Sequence, residues 1–200
     1  TRLYFQTTNP NDFVTSVSGT SIDPTYINTT TDFYHAALGA GVPNGINDLL
    51  FGVYPDLAYD SWVTIGIEGV PDAGQGEASV GTVQSNDNPW FTNFDPGTGQ
   101  PGGNVTIDDE IGGAWYVLNG DANGVPDAQG RVLLGQFTTT GEVSGNLQVQ
   151  VFPNGDNDNF IIYDGSFGSG DNDENGVGCL FLTTYFLDED GDGYGTTPAE

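Results

Sequence analysis

Two hundred residues carry 28 Asp and Glu against two Arg and no Lys, a formal charge of −26. That balance speaks against a nucleic acid or an anionic membrane surface as partner, because both require a basic face. The absence of Lys removes Schiff-base and P-loop chemistry, and the length suits one domain able to bury a core without disulfides.

From the N-terminus, apolar alternation bounded by Gly, Pro, Asn and Asp predicts strands over residues 3–7, 13–17, 61–68, 78–82, 114–118, 132–138, 145–152, 159–163 and 178–187. In 145–152, Leu147, Val149 and Val151 point one way and Gln148 and Gln150 the other. In 61–68, Trp62, Thr64 and Gly66 oppose Val63, Ile65 and Ile67. Such alternation marks half-buried antiparallel strands. Helical spacing is confined to two short candidates, 32–38 and 47–51. The Gly/Asn/Pro-rich stretch 85–103 reads as one large loop that packs down through Trp90, Phe91 and Phe94, and Trp62 and Trp115 read as core. Gly-Val-Pro-Asn/Asp recurs at 41–44, 69–72 and 124–127, as a repeated turn type does. The fold expected is all-β, a largely antiparallel β-sandwich with long Gly/Asp/Asn loops and little helix. Residues 1–167 form its body, and 168–200 pack on the same domain as an acidic loop, an apolar strand and a second acidic loop. Cys179, the single cysteine, is expected as a buried free thiol in that strand.

Most of the acid is Asp, which favours turns and metal loops over helices. The segment Asp188-Glu189-Asp190-Gly191-Asp192-Gly193-Tyr194-Gly195 sets carboxylates at loop positions 1, 3 and 5, a Gly at 6 and a backbone carbonyl at 7, as a Ca²⁺ loop does. It departs from a full EF-hand, because Ala199 stands where a bidentate Glu belongs. The same spacing recurs at Asp171, Asp173 and Asn175, with Val177 offering its carbonyl. A third match has Asn119, Asp121 and Asn123, then Gly124, Val125 and Asp127, and fewer charges predict weaker binding there. Asp156 and Asp158 make a fourth, smaller cluster. The competing readings are a solvated acidic tail, a Gly/Asp linker and an Asn-Gly turn between strands.

Asn28-Thr29-Thr30 and Asn104-Val105-Thr106 are N-glycosylation sequons in polar, loop-like sequence, and Thr29–Thr31 and Thr138–Thr140 offer O-linked positions. His35, the sole histidine, lacks the partners for a zinc site or a triad. No catalytic constellation stands out, and the expectation is a protein that is not an enzyme.

The Asp188 loop resembles thrombospondin type 3 repeats and, more closely, the D-x-D-G-D-G-Y-G segments of large secreted bacterial surface proteins. Asp60-Ser61-Trp62-Val63-Thr64-Ile65-Gly66, Gly112-Gly113-Ala114-Trp115-Tyr116, Gly130-Arg131-Val132-Leu133-Leu134-Gly135-Gln136-Phe137-Thr138 and Ser144-Gly145-Asn146-Leu147 together resemble secreted β-sandwich modules of aquatic bacteria. The resemblance covers about half the chain and implies a structural, extracellular role without catalytic residues. With Ca²⁺ as cofactor, the expected function is a non-enzymatic structural subunit of a filament, sheath or adhesive surface assembly. The alternative is a calcium-dependent carbohydrate-binding module. The chain reads as a mature secreted product or a fragment, at the cell surface or outside it, with no segment to insert in a membrane. Partners expected are further copies of the chain, joined through a terminal strand such as 3–7, and glycans; the competing expectation is that 3–7 pairs within its own sandwich.

Overall fold

The structure, a computed structural model of the chain, describes residues 1–97, 99–168 and 178–180. Eleven strands run in chain order: β1 (Arg2–Gln6), β2 (Phe13–Gly19), β3 (Thr25–Thr29), β4 (Trp62–Val63), β5 (Gly81–Val83), β6 (Val105–Ile107), β7 (Gly113–Tyr116), β8 (Arg131–Gln136), β9 (Val143–Phe152), β10 (Ile161–Phe167) and β11 (Gly178–Leu180). The only α-helix among the described residues is the single turn α1 (Trp90–Phe94). The chain is therefore all-β, as its alternation predicts.

The strands form two sheets. The smaller has the order β11-β1-β8-β4, in which only β1 and β11 run parallel. The larger is built on β9. Each residue from Gly145 to Val151 faces β10 on one edge, while the other edge is shared end to end by β2, opposite Gln148–Phe152, and β3, opposite Val143–Asn146. β7 and β6 continue the same break one row further out, opposite β2 and β3 respectively, and β5 closes that side on β7. The chain between β2 and β3 and the chain between β6 and β7 leave the sheet at the same point, tied by Ser21 N–H donating to Asp109 O at 2.9 Å.

The inward faces of both sheets meet in one core. Leu3 and Phe5 of β1 and Val132 and Leu134 of β8 pack in a single cluster with Val14, Val17, Leu147, Val149 and Trp115 of the larger sheet. Burying each such aliphatic side chain contributes about 1.5–3 kcal/mol. Phe5 meets Tyr163 of β10 at a ring separation of 5.4 Å. At one end Phe33, Phe94 and Phe137 form an aromatic knot with centroids 5.5–6.2 Å apart. Trp62 and Trp115 are buried as expected, and Trp115 Nε1 donates to Thr64 O at 3.0 Å, so its one polar atom is satisfied.

Several local expectations are corrected. Residues 32–38 form no helix: Phe33 pairs with Gly102 as an isolated bridge, and the Ala36 N–H goes to the Asp60 carboxylate. Residues 47–51 give a single 3₁₀ turn, Asp48–Leu50, capped by Asn47. The strand expected over 61–68 stops after Val63, because the chain turns at Gly66, whose φ is +76° and where a Cβ would collide with Asn123 O. The expected strand 78–82 begins only at Gly81, because Ala78 and Val80 bond to asparagine side chains in place of a neighbouring strand. Stretch 85–103 packs down as expected through buried Trp90 and Phe94, but does so on a helical turn. β3 and β6 were not foreseen. The expected Cys179 thiol and the loops at 171–177 and 188–194 fall outside the residues whose side chains are described.

Candidate functional site

Two polar regions of the body hold the candidate residues. The first is the Asn119–Asp127 loop, where β7 gives way to the 3₁₀ turn Ala122–Gly124. Here one polar side chain, that of Asn123, turns inward. Asn123 is buried, its Nδ2 donating to Ile65 O at 3.0 Å and Ala78 O at 3.2 Å, and its Oδ1 accepting from Ala78 N–H at 3.2 Å. Asn44 does the same for Val80, accepting its N–H and donating to its carbonyl, both at 2.9 Å. Two side-chain amides thus stand in for a missing strand beside residues 78–80. Asp121 accepts from Leu118 N–H at 2.8 Å, and Asp127 accepts from Gln129 and Arg131 N–H groups and pairs with the Arg131 guanidinium at 3.2 Å. Asn119 and Val125 are exposed. Of the six residues placed in a third calcium loop by spacing, Asn123 is committed to holding the fold and Asp127 is paired with a cation. Among the described residues no three His, Cys, Asp or Glu side chains gather as a metal-holding group. Asp156, from the smaller cluster, accepts from Asp158 N–H and Asn159 Nδ2, which is a turn lock.

The second region is the end of the larger sheet where β3 and β6 pair. Ile27 faces Val105, so the antiparallel ladder sets Asn28 opposite Asn104. The two sequons, far apart in sequence, therefore meet. Asn28 lies within a strand and not in the loop its sequence suggests, and exposed Asn104 accepts Thr29 N–H on its Oδ1 at 2.9 Å. Next to them Thr139 Oγ1 lies 2.8 Å from both Thr29 Oγ1 and Thr31 Oγ1, and it accepts Gly141 N–H at 3.0 Å. Beyond the threonines opens a cavity of about 380 Å³ lined by residues 31–35, 138–140, Gly99 and Pro101.

Behind this cavity lies a buried His–Asp pair that the sequence did not suggest. His35 Nδ1 stands 3.5 Å from Asp60 Oδ1, with both side chains almost wholly excluded from water. His35 Nε2 lies 2.7 Å from Phe94 O. Nε2 is thus hydrogen-bonded, while Nδ1 makes no hydrogen bond among the described residues and has the Asp60 carboxylate as a close charge. Burial opposes the charge, but the Asp60 carboxylate, Asp95 and the Phe94 carbonyl outweigh it, and the His35 pKa is raised above its ordinary value. Asp60 is held in turn by the N–H groups of Ala36 and Ala40, each at 2.8 Å. Its place within the apolar run Asp60–Ile67 was the one available signal: an acid at the head of a buried segment needs partners.

Both arginines of the chain are paired, Arg2 with Glu68 at 2.7 Å and Arg131 with Asp127. Asp164 Oδ1, on β10, is buried without a hydrogen-bond partner among the described residues. Among those residues no helix is long and apolar enough to cross a membrane. Comparison with protein-family models, curated proteins and solved structures finds no match to this chain.

Proposed function

We propose that the chain is a non-enzymatic, extracellular, calcium-binding structural module, a subunit of a filament, sheath or adhesive surface layer. The observation that carries this reading is the distribution of charge compensation. With 28 acids and two arginines, both arginines already paired, the other carboxylates have neutral donors, the single histidine or solution cations to face. Among the described residues Asp164 Oδ1 is a buried carboxylate oxygen lacking a donor, on the strand that precedes Asp171, Asp173 and Asn175 in the chain. Divalent cations bound by hard oxygen ligands remove such unbalanced charge, and Asp-x-Asp-x-Asp-Gly spacing supplies those ligands at 188–194. The sole histidine is buried, and its Nε2 is engaged by the Phe94 carbonyl.

Neutralising the acids also lowers the repulsion between copies, which is what an assembly of highly charged subunits needs. β1 sits between β8 and β11 of its own chain, so joining copies by strand exchange requires β1 to leave both and repeat those pairings in a neighbour. Equilibrium dialysis of the full chain against Ca²⁺ tests the binding, with Asp173→Asn and Asp190→Asn each expected to lower the stoichiometry. Electron microscopy with and without EGTA tests the assembly. Absence of bound Ca²⁺ at millimolar concentration would overturn the proposal, and assemblies that ignore EGTA would overturn the role given to the metal.

A further inference from the structure

We propose that the cavity at the β3–β6 end is a binding site for a neutral oligosaccharide. This goes beyond the calcium reading and does not depend on it. The cavity volume of about 380 Å³ is in the range of small-molecule sites, roughly 300–1,000 Å³. Its lining combines an aromatic face with uncommitted polar groups. Tyr34, 39 % exposed, lines it alongside Pro101. An aromatic ring carries negative charge on its face and attracts the positively polarised C–H face of a sugar. The backbone at Tyr34 is fixed, its N–H donating to Thr138 O and its carbonyl accepting from Ser61 N–H, so the ring is presented from a rigid base.

The polar groups divide clearly. A hydroxyl offers one donor and two acceptor positions. Thr139 Oγ1, with three partners, is saturated. Thr31 and Thr140 touch each other only at 3.5 Å and are exposed, so both keep capacity for a ligand. Asp32 is exposed, and its carboxylate accepts no hydrogen bond from the described residues. Asp60 and Asp95 nearby are by contrast spent on backbone N–H groups. A free carboxylate accepting from vicinal hydroxyls, two threonine hydroxyls and an aromatic face together match the chemistry of a pyranose. Charge sets the class further. A chain of charge −26, with a carboxylate at the cavity and no lysine or arginine lining it, repels uronates, sulfated sugars and phosphates. Charge therefore excludes anionic sugars, and the hydroxyl and carboxylate lining fits the neutral ones.

Saturation-transfer NMR with the full chain tests this, using maltotriose, cellotriose, xylotriose, methyl α-mannoside and galacturonic acid trimer as probes. At least one neutral probe is expected to bind saturably, and the acidic trimer more weakly. Asp32→Asn and Tyr34→Ala are each expected to weaken binding tenfold or more, while Ile22→Ser, on a remote exposed loop, leaves it unchanged. Binding is expected to persist in EGTA while the circular dichroism spectrum stays native. The proposal is overturned if none of the neutral probes binds, if both cavity variants bind as the parent does, if the acidic trimer binds tightest, or if EGTA abolishes binding with the fold intact.

Discussion

In the Asn119–Asp127 loop the asparagine at its centre, Asn123, is turned into the protein; around the Thr31–Thr140 cavity the polar side chains are turned toward each other and outward. The compositions are alike, rich in Asn, Asp, Gly or Thr. The difference lies in what each region must support. The loop lies over residues 78–80, a segment with no neighbouring strand, and its asparagine supplies the missing donors and acceptors. The cavity lies beyond the end of the β3–β6 ladder, where Asn104, Thr30 and Thr139 serve the N–H groups of Thr29, Glu142 and Gly141, and Asp32 and Thr140 serve none. Polar residues become available for ligands where the backbone needs nothing from them.

That contrast can be broken by substitution. The largest effect is expected at the His35–Asp60 pair beneath the cavity. Asp60→Ala leaves a buried imidazole and the Ala36 and Ala40 N–H groups unpaired, for a loss of about 3–5 kcal/mol. Urea unfolding measures it, and a loss below about 1 kcal/mol would show that the pair is dispensable. Next comes Asn123→Ala, which orphans Ile65 O and both polar atoms of Ala78, at about 2–4 kcal/mol. Asn123→Asp is the sharper variant. A carboxylate cannot donate to either carbonyl, so it is expected to destabilise as Ala does. If Asn123 served a metal instead, Asp would preserve stability and strengthen Ca²⁺ binding.

A smaller effect concerns pH. The His35 pKa is raised in the folded chain, so folding is favoured by the extra proton affinity. That contribution is complete below the unfolded value of about 6.5 and is lost as pH climbs through the raised folded value. Unfolding free energies measured from about pH 6 to about pH 9 should show the parent losing stability relative to His35→Gln. A difference constant across that range would mean that His35 is neutral in the fold. The smallest effect is expected from Thr139→Val, about 1 kcal/mol, because the half-exposed Thr29, Thr31 and Gly141 groups can turn to water.

Much of the sandwich is legible in the chain because β9 alternates along its length and the shorter strands are apolar runs bounded by Gly, Pro, Asn and Asp. In β9, Leu147, Val149 and Val151 reach the core at 0–1 % exposure, as the pattern requires. β3 and β6 escape notice for physical reasons. Thr25-Tyr26-Ile27-Asn28-Thr29 is half-buried and polar, and Val105-Thr106-Ile107 is too short to show a period. The segment 61–68 misleads in the opposite way: both its faces are buried, so alternation has no solvent side to report. Roles set by distant partners are illegible altogether. Asn123 bonds to residues 45 and 58 positions away, and Thr29 meets Thr139 across 110. Spacing alone places Asn123 in a metal loop; only its neighbours in space make it a brace.

The most direct test of the account is thermal unfolding of the full chain in Ca²⁺ and in EGTA. A ligand that binds only the folded chain adds roughly 2.7 kcal/mol per site at a hundredfold excess over Kd. The melting temperature should therefore rise with Ca²⁺, and Asp173→Ala and Asp190→Ala should each lose part of the rise. Identical melting temperatures in Ca²⁺ and EGTA would contradict the central claim.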